Sequence, residues 1–162
     1  MALSSNLERL GYGSADGCAV VGLHTDVTAS GGATRTLLPG ESGATQLFDS
    51  ASGVVYTLPA PVVGMTFEFY SSVTITSNSA KIITDSASTF LQGMVHVVGG
   101  TTETTVSADF NGTTHVACTM NGTTTGGIIG TLIRVKAISS TVWAITGVAV
   151  GSGTVATPAA TS

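Results

Sequence analysis

Gly64-Met65-Thr66-Phe67-Glu68-Phe69-Tyr70-Ser71-Ser72-Val73-Thr74-Ile75 is the stretch on which the fold turns. Met65, Phe67, Phe69, Val73 and Ile75 alternate with Thr66, Glu68, Tyr70, Ser72 and Thr74, which is the period of a strand with one buried face. A helix would spread the same side chains around its circumference. These five apolar residues are therefore the expected core face. Just upstream, Val54, Tyr56 and Leu58 share a face, and Pro59-Ala60-Pro61 ends that strand because proline cannot donate to a ladder.

The same grammar continues downstream. Ile82-Ile83 and residues 94–98, 104–108 and 116–120 read as short strands, and Asn111-Gly112 and Asn121-Gly122 read as tight hairpin turns. Residues 128–138 and 141–150 flank Ser139-Ser140 as a closing hairpin. Roughly eight to ten strands with frequent turn signals predict an all-β chain, an antiparallel β-sandwich or jelly-roll-like single domain. No repeat of fixed period appears, so neither a solenoid nor a propeller is expected. Three parts follow: an N-terminal arm over residues 1–33, a sandwich over 34–150 and an extended C-terminal tail over 151–162. In the arm, Ser5 and Glu8 have capping-box spacing and predict a short helix ending at Gly11, with Leu7 and Leu10 on one side. The tail is too poor in apolar groups to fold alone, and is expected to be free or to lie on a neighbour.

Composition narrows function. The chain has 162 residues, of which 43% are hydrophobic and only 9% charged, with a net charge of −4. Charged residues usually make up about 25% of a soluble chain, so small polar residues must take their place on this surface. The 21 Gly, 27 Thr and 18 Ser do so. A mean hydropathy of +0.45 implies that apolar surface left after folding is covered by another copy or another protein. Five Lys plus Arg and a pI near 5.0 supply no basic stripe for phosphates, so no nucleic-acid partner is expected, and anionic lipid is equally disfavoured. No apolar run approaches the roughly 20 residues of a membrane span, and the first residues lack the basic and apolar regions of a secretory signal, so synthesis in a cytoplasm is expected. Cys18 and Cys118 form no Cys-x-x-Cys pair; reduced, packed thiols are expected, with a long-range disulfide as the alternative.

The search for chemistry finds no constellation. His24 and Asp26 lie two apart and read as a surface polar pair; His96 shares a strand face with Met94 and Val98 and reads as a packed histidine satisfied by a hydrogen bond; His115 reads as solvated. If the chain is a trimer, three copies of His96 could meet at the axis and hold a metal, but no metal is expected. Gly40-Glu41-Ser42-Gly43 and Gly151-Ser152-Gly153 fall short of a nucleophile elbow, and Gly11-Tyr12-Gly13 falls short of a dinucleotide loop. Asn111-Gly112-Thr113 and Asn121-Gly122-Thr123 match a glycosylation sequon but read as turn chemistry. Trp143 and Tyr70 are the candidates for stacking on a sugar, against the commoner role of aromatics in a core or interface. Neither an enzyme nor a cofactor is expected.

Ser42-Gly43-Ala44-Thr45, Asp49-Ser50-Ala51-Ser52-Gly53, Tyr56-Thr57-Leu58-Pro59-Ala60-Pro61 and Gly64-Met65-Thr66-Phe67-Glu68-Phe69 resemble a family of tailed-phage virion proteins, in which a strand ending in Thr-Leu-Pro-Ala-Pro precedes Gly and an alternating aromatic strand. The closing segment, from Asn121-Gly122-Thr123-Thr124-Thr125-Gly126-Gly127 through Trp143 to Gly151-Ser152-Gly153-Thr154-Val155-Ala156-Thr157-Pro158, is similar to the ends of structural proteins of cyanobacterial and marine phages. The likeness spans about residues 34–158 and consists largely of strand and turn grammar. It implies a head decoration, or cement, protein on the outside of the major capsid lattice, usually a trimer at three-fold or quasi-three-fold positions. The partners so implied are the major capsid protein and the chain itself. Similar modules occur in tail, fibre and spike proteins, and a glycan-binding sandwich is a further alternative. Leu3, Leu7 and Leu10 of the arm are the residues expected to touch capsid or a neighbouring subunit.

Overall fold

The computed structural model describes residues 27–77, 80–100 and 104–162. The expected arm helix, Leu3, Leu7 and Leu10, Gly11-Tyr12-Gly13, Cys18, and the His24/Asp26 pair lie outside the described residues.

The first six strands are β1 (Val27–Thr28), β2 (Thr34–Thr36), β3 (Thr45–Phe48), β4 (Val55–Thr57), β5 (Thr66–Ser71) and β6 (Ala80–Ile83). They alternate between two sheets. β1, β3 and β5 pair in parallel in one sheet, with Val27 opposite Thr45 and Thr45 opposite Glu68. β2, β4 and β6 pair in parallel in the other, with Thr34 opposite Val55 and Val55 opposite Lys81. The chain thus winds round the core in successive coils. Successive partners are offset by 18 and 23 residues in the first sheet and by 21 and 26 in the second, so the winding has no fixed period and leaves no repeat in the sequence.

The second half completes both sheets with β7 (Phe90–Gly99), β8 (Thr105–Asn111), β9 (Ala117–Met120), β10 (Leu132–Ala137), β11 (Val142–Gly151) and β12 (Ala159–Ala160). The larger sheet has seven strands in the order β1-β3-β5-β10-β11-β7-β8, and the smaller has five in the order β12-β9-β6-β4-β2. β10 and β11 form the expected closing hairpin, with Ala137 opposite Trp143. The architecture is therefore the all-β, two-sheet sandwich that the sequence predicts, but both sheets are mixed rather than antiparallel. Parallel pairing arises wherever the chain crosses to the opposite sheet before returning, because each return then runs in the same direction as the previous strand.

The core lies between the sheets. Phe67, Phe69 and Ile75 are buried in it, joined from the facing sheet by Tyr56, Ile82 and Met120. Met65 packs against its edge. Val73 lies past the end of β5 and is half-buried. The inward position after Phe69 belongs to Ser71, where the strand ends, so the strict alternation does not carry through to Val73. Phe48, Tyr56 and Phe69 form an aromatic cluster with centroids 5.2–6.1 Å apart, and Phe67 lies 5.8 Å from Trp143. Such pairs contribute roughly 0.5–1.5 kcal/mol beyond the area they bury.

Two turn assignments need correction. Neither Asn-Gly dipeptide closes a hairpin. Asn111-Gly112 carries the chain from β8 in the larger sheet to β9 in the smaller, and Asn121-Gly122 begins the return. In each, the asparagine Oδ1 accepts two downstream amides, those of Thr113 and Thr114 for Asn111 and those of Thr123 and Thr125 for Asn121. The side chain thereby builds a closed Asx loop, which competes with the two-residue hairpin turn. The C-terminal segment lies on its own domain: β12 extends the smaller sheet at β9, Val155 is buried and the Thr119 amide donates to the Pro158 carbonyl at 2.8 Å.

Candidate interaction surface

Several residues singled out for chemistry have structural duties. Trp143 is fully buried, so its indole cannot stack on a sugar. Cys118 is a buried free thiol, and burial pushes its pKa up to about 12, which keeps it protonated and unreactive. His115 is half-buried, accepts the Asn111 amide at Nδ1 and sits edge-on to Phe110 at 5.8 Å. It braces the Asn111 loop and is not a freely solvated side chain. Glu41 of the Gly40-Glu41-Ser42-Gly43 stretch pairs with Arg35 and accepts the Leu38 amide, which makes that stretch a capped turn. Among the described residues no three His, Cys, Asp or Glu side chains converge as metal ligands would, and no helix is long and apolar enough to cross a membrane.

His96 corrects the sequence reading. It does share a face with Met94 and Val98, but that face points outward, and Val95 and Val97 occupy the core side. Both faces of this part of β7 carry apolar side chains, so alternation alone could not tell inside from outside. The His96 Nδ1 lies 3.0 Å from the Ser107 hydroxyl on β8.

Leu38, Val62, Val63, Ile129 and Ile138 are exposed apolar side chains outside the strands, and a further group lies on the outer face of the seven-stranded sheet. One row runs across it as Tyr70 on β5, Leu132 on β10, Val148 on β11 and His96 on β7, each opposite the next. Directly opposed side chains in a sheet stand about 5 Å apart, so the row is contiguous. Val148 is 46% exposed, Met94 43% and Tyr70 38%, values high for large apolar groups on a structured strand. The adjacent row carries the charges: Glu68, Arg134, Thr146, Met94 and Asp109. Arg134 Nε donates to Glu68 Oε2 at 2.5 Å, and the Thr45 hydroxyl donates to Glu68 Oε1 at 3.1 Å. Over the small Ala144, between Thr66, Glu68, Arg134 and Lys136, the face dips into an open depression of about 460 Å³.

The face combines an apolar row with a row of sparse charges, and no group of metal-ligating side chains lies on it among the described residues. A scan of family models and searches of curated proteins and solved structures found no match to the chain.

Proposed function

We propose that this chain is a non-enzymatic virion structural protein that decorates the outer surface of a tailed-phage capsid as a homotrimer, with the major capsid protein as its partner. The observation that carries the reading is the outward apolar row of Tyr70, Leu132 and Val148, with Tyr70 and Val148 exposed and Leu132 half-buried, on a chain with few charges to keep it apart from other proteins. That is the surface of a subunit that works inside an assembly. The resemblance of residues 42–69 and 121–158 to virion proteins supplies the kind of assembly. Burial of Trp143 removes one of the two stacking candidates for a glycan-binding module.

Such a protein acts by differential binding. A subunit that binds the mature lattice better than the unexpanded or dissociated one stabilises the mature shell by that difference. A trimer that touches several capsomers gains avidity, so each contact can be weak. The test is to add the purified protein to capsids that lack it and count the copies bound. Occupancy matching the three-fold or quasi-three-fold positions supports the reading, and no binding overturns it.

A further inference from the structure

Asn111-Gly112-Thr113-Thr114-His115 and Asn121-Gly122-Thr123-Thr124-Thr125 are one loop built twice. Each asparagine Oδ1 accepts two amides of its own loop, and each Nδ2 donates to the second threonine hydroxyl, at 2.7 Å to Thr114 and 2.9 Å to Thr124. The asparagine amides donate to the fifth side chain, His115 Nδ1 at 3.1 Å and Thr125 Oγ1 at 3.0 Å. The Gly112 amide donates to the Leu91 carbonyl at 2.9 Å and the Gly122 amide to the Gly126 carbonyl at 2.7 Å, and both glycines have a φ of +73°. The local chemistry is matched; the packing is not. Asn111 is exposed at the end of β8, an edge strand, and the atoms nearest a Cβ at Gly112 belong to the flexible Gln92 side chain, at 3.1 Å. Gly122 is buried against the Ile75 carbonyl, and the C-terminal segment staples its loop: the Ser152 amide donates to the Thr123 carbonyl at 3.0 Å and the Ala156 amide to the Thr124 carbonyl at 2.8 Å.

We propose that Asn111-Gly112 is a self-modification site of the folded protein, where asparagine converts to aspartate and isoaspartate at a rate set by the bonds of its own loop, and that Asn121-Gly122 is spared until the domain unfolds. Water is the one co-reactant. The Gly112 nitrogen, unhindered because glycine has no side chain, attacks Asn111 Cγ as it gives up its proton; the N–Cγ bond forms, the Cγ–Nδ2 bond breaks and ammonia leaves. Water then opens the cyclic imide at one carbonyl or the other, giving aspartate or isoaspartate. In the closed loop the Gly112 N–H is held by the Leu91 carbonyl and Nδ2 by Thr114, so the reaction waits until the loop opens and the Asn111-Gly112 peptide can turn. An exposed loop opens by itself, whereas the Asn121 loop opens only with the C-terminal segment and the contact with Ile75. Conversion adds one negative charge to a chain of net charge −4 and sets it two places from Asp109 on the outward side of β8.

The test is peptide mapping by mass spectrometry of the full chain, held in mildly alkaline buffer with and without denaturant. Measured against the same site's rate in denaturant, native Asn111 is expected to be slowed by less than about a hundredfold, and native Asn121 by at least about tenfold more than Asn111. Thr114→Val removes the Nδ2 acceptor at an exposed position; it is expected to speed conversion at Asn111 by about threefold or more and to leave Asn121 unchanged, with circular dichroism showing that the fold persists. Equal slowing at the two asparagines, or an Asn111 slowed beyond that range, overturns the site on the wild-type chain alone. A Thr114→Val variant that converts at the parent rate overturns the control by the loop's own bonds. The outcome is independent of capsid binding, because the chemistry belongs to the isolated chain.

Discussion

The Tyr56 hydroxyl, on the five-stranded sheet, donates to the Leu47 carbonyl on the seven-stranded sheet at 2.5 Å. A single side chain thereby ties the two layers at a point where the core is otherwise aromatic. Burial, with a smaller contribution from the nearby Asp49 carboxylate, raises the phenol well above the ordinary tyrosine range and keeps the proton available for that bond. Tyr56→Phe keeps the ring and removes the tie. It should destabilise the fold by about 1–2 kcal/mol in chemical denaturation, and unchanged stability would show that the bond contributes nothing.

Phe67 is 1% exposed and packs beside Trp143 on the inner face of β5. Phe67→Ala should cost roughly 3–5 kcal/mol, because the buried ring is lost and the surrounding sheets cannot fully close the gap. Thermal unfolding measures this directly. An unchanged melting temperature would refute the burial.

Gly122 and Gly31 both have positive φ, +73° and +70°, yet their surroundings differ. A Cβ at Gly122 would stand 1.4 Å from the Ile75 carbonyl oxygen, whereas one at Gly31 meets nothing within 4 Å. Gly31→Ala should therefore cost only the left-handed strain, about 1–2 kcal/mol. Gly122→Ala must also displace backbone, and should cost at least about 2 kcal/mol more. Equal losses in the two variants would contradict the packing of this turn against Ile75.

Cys118 should resist thiol reagents in the folded protein. In a Cys18→Ser background no thiol should react at pH 8 until denaturant is added; rapid labelling of the native state would contradict the burial. Its pKa of about 12 in the fold exceeds the ordinary 9.0. A raised pKa favours the protonated form in the native state, so its stabilising contribution is complete below pH 9 and is lost as pH climbs from 9 towards 12. Cys118→Ala should flatten that alkaline fall in stability, in which Tyr56 shares.

How much of this was legible in sequence depends on how local each signal is. The alternation over residues 65–69 and the prolines after Leu58 are local, and they place Phe67, Phe69 and the end of β4 correctly. The parallel order of β1, β3 and β5 is not local, since nothing near Val27 announces Thr45 as its partner. Asn111 and Asn121 mark turns in sequence, but whether such a turn closes a hairpin or changes sheets depends on the next strand's partner. The outward face shows the same division. The outward positions of Thr66, Glu68 and Tyr70 follow from the period, while their junction with Arg134, Val148 and Met94 depends on pairings between distant segments. His96 was misread because β7 is apolar on both sides. Gln46 is the reverse case: it occupies an inward position of β3 and is fully buried, although its side chain is polar.

The most direct test of the central claim is a binding isotherm of the purified protein on mature capsids and on unexpanded capsids of the same phage. Saturable binding that is at least about tenfold tighter on the mature shell is the predicted result, since a ligand stabilises a state only by its preference for it. Equal affinity for both shells, or none for either, would contradict the claim that this sandwich holds a finished capsid together.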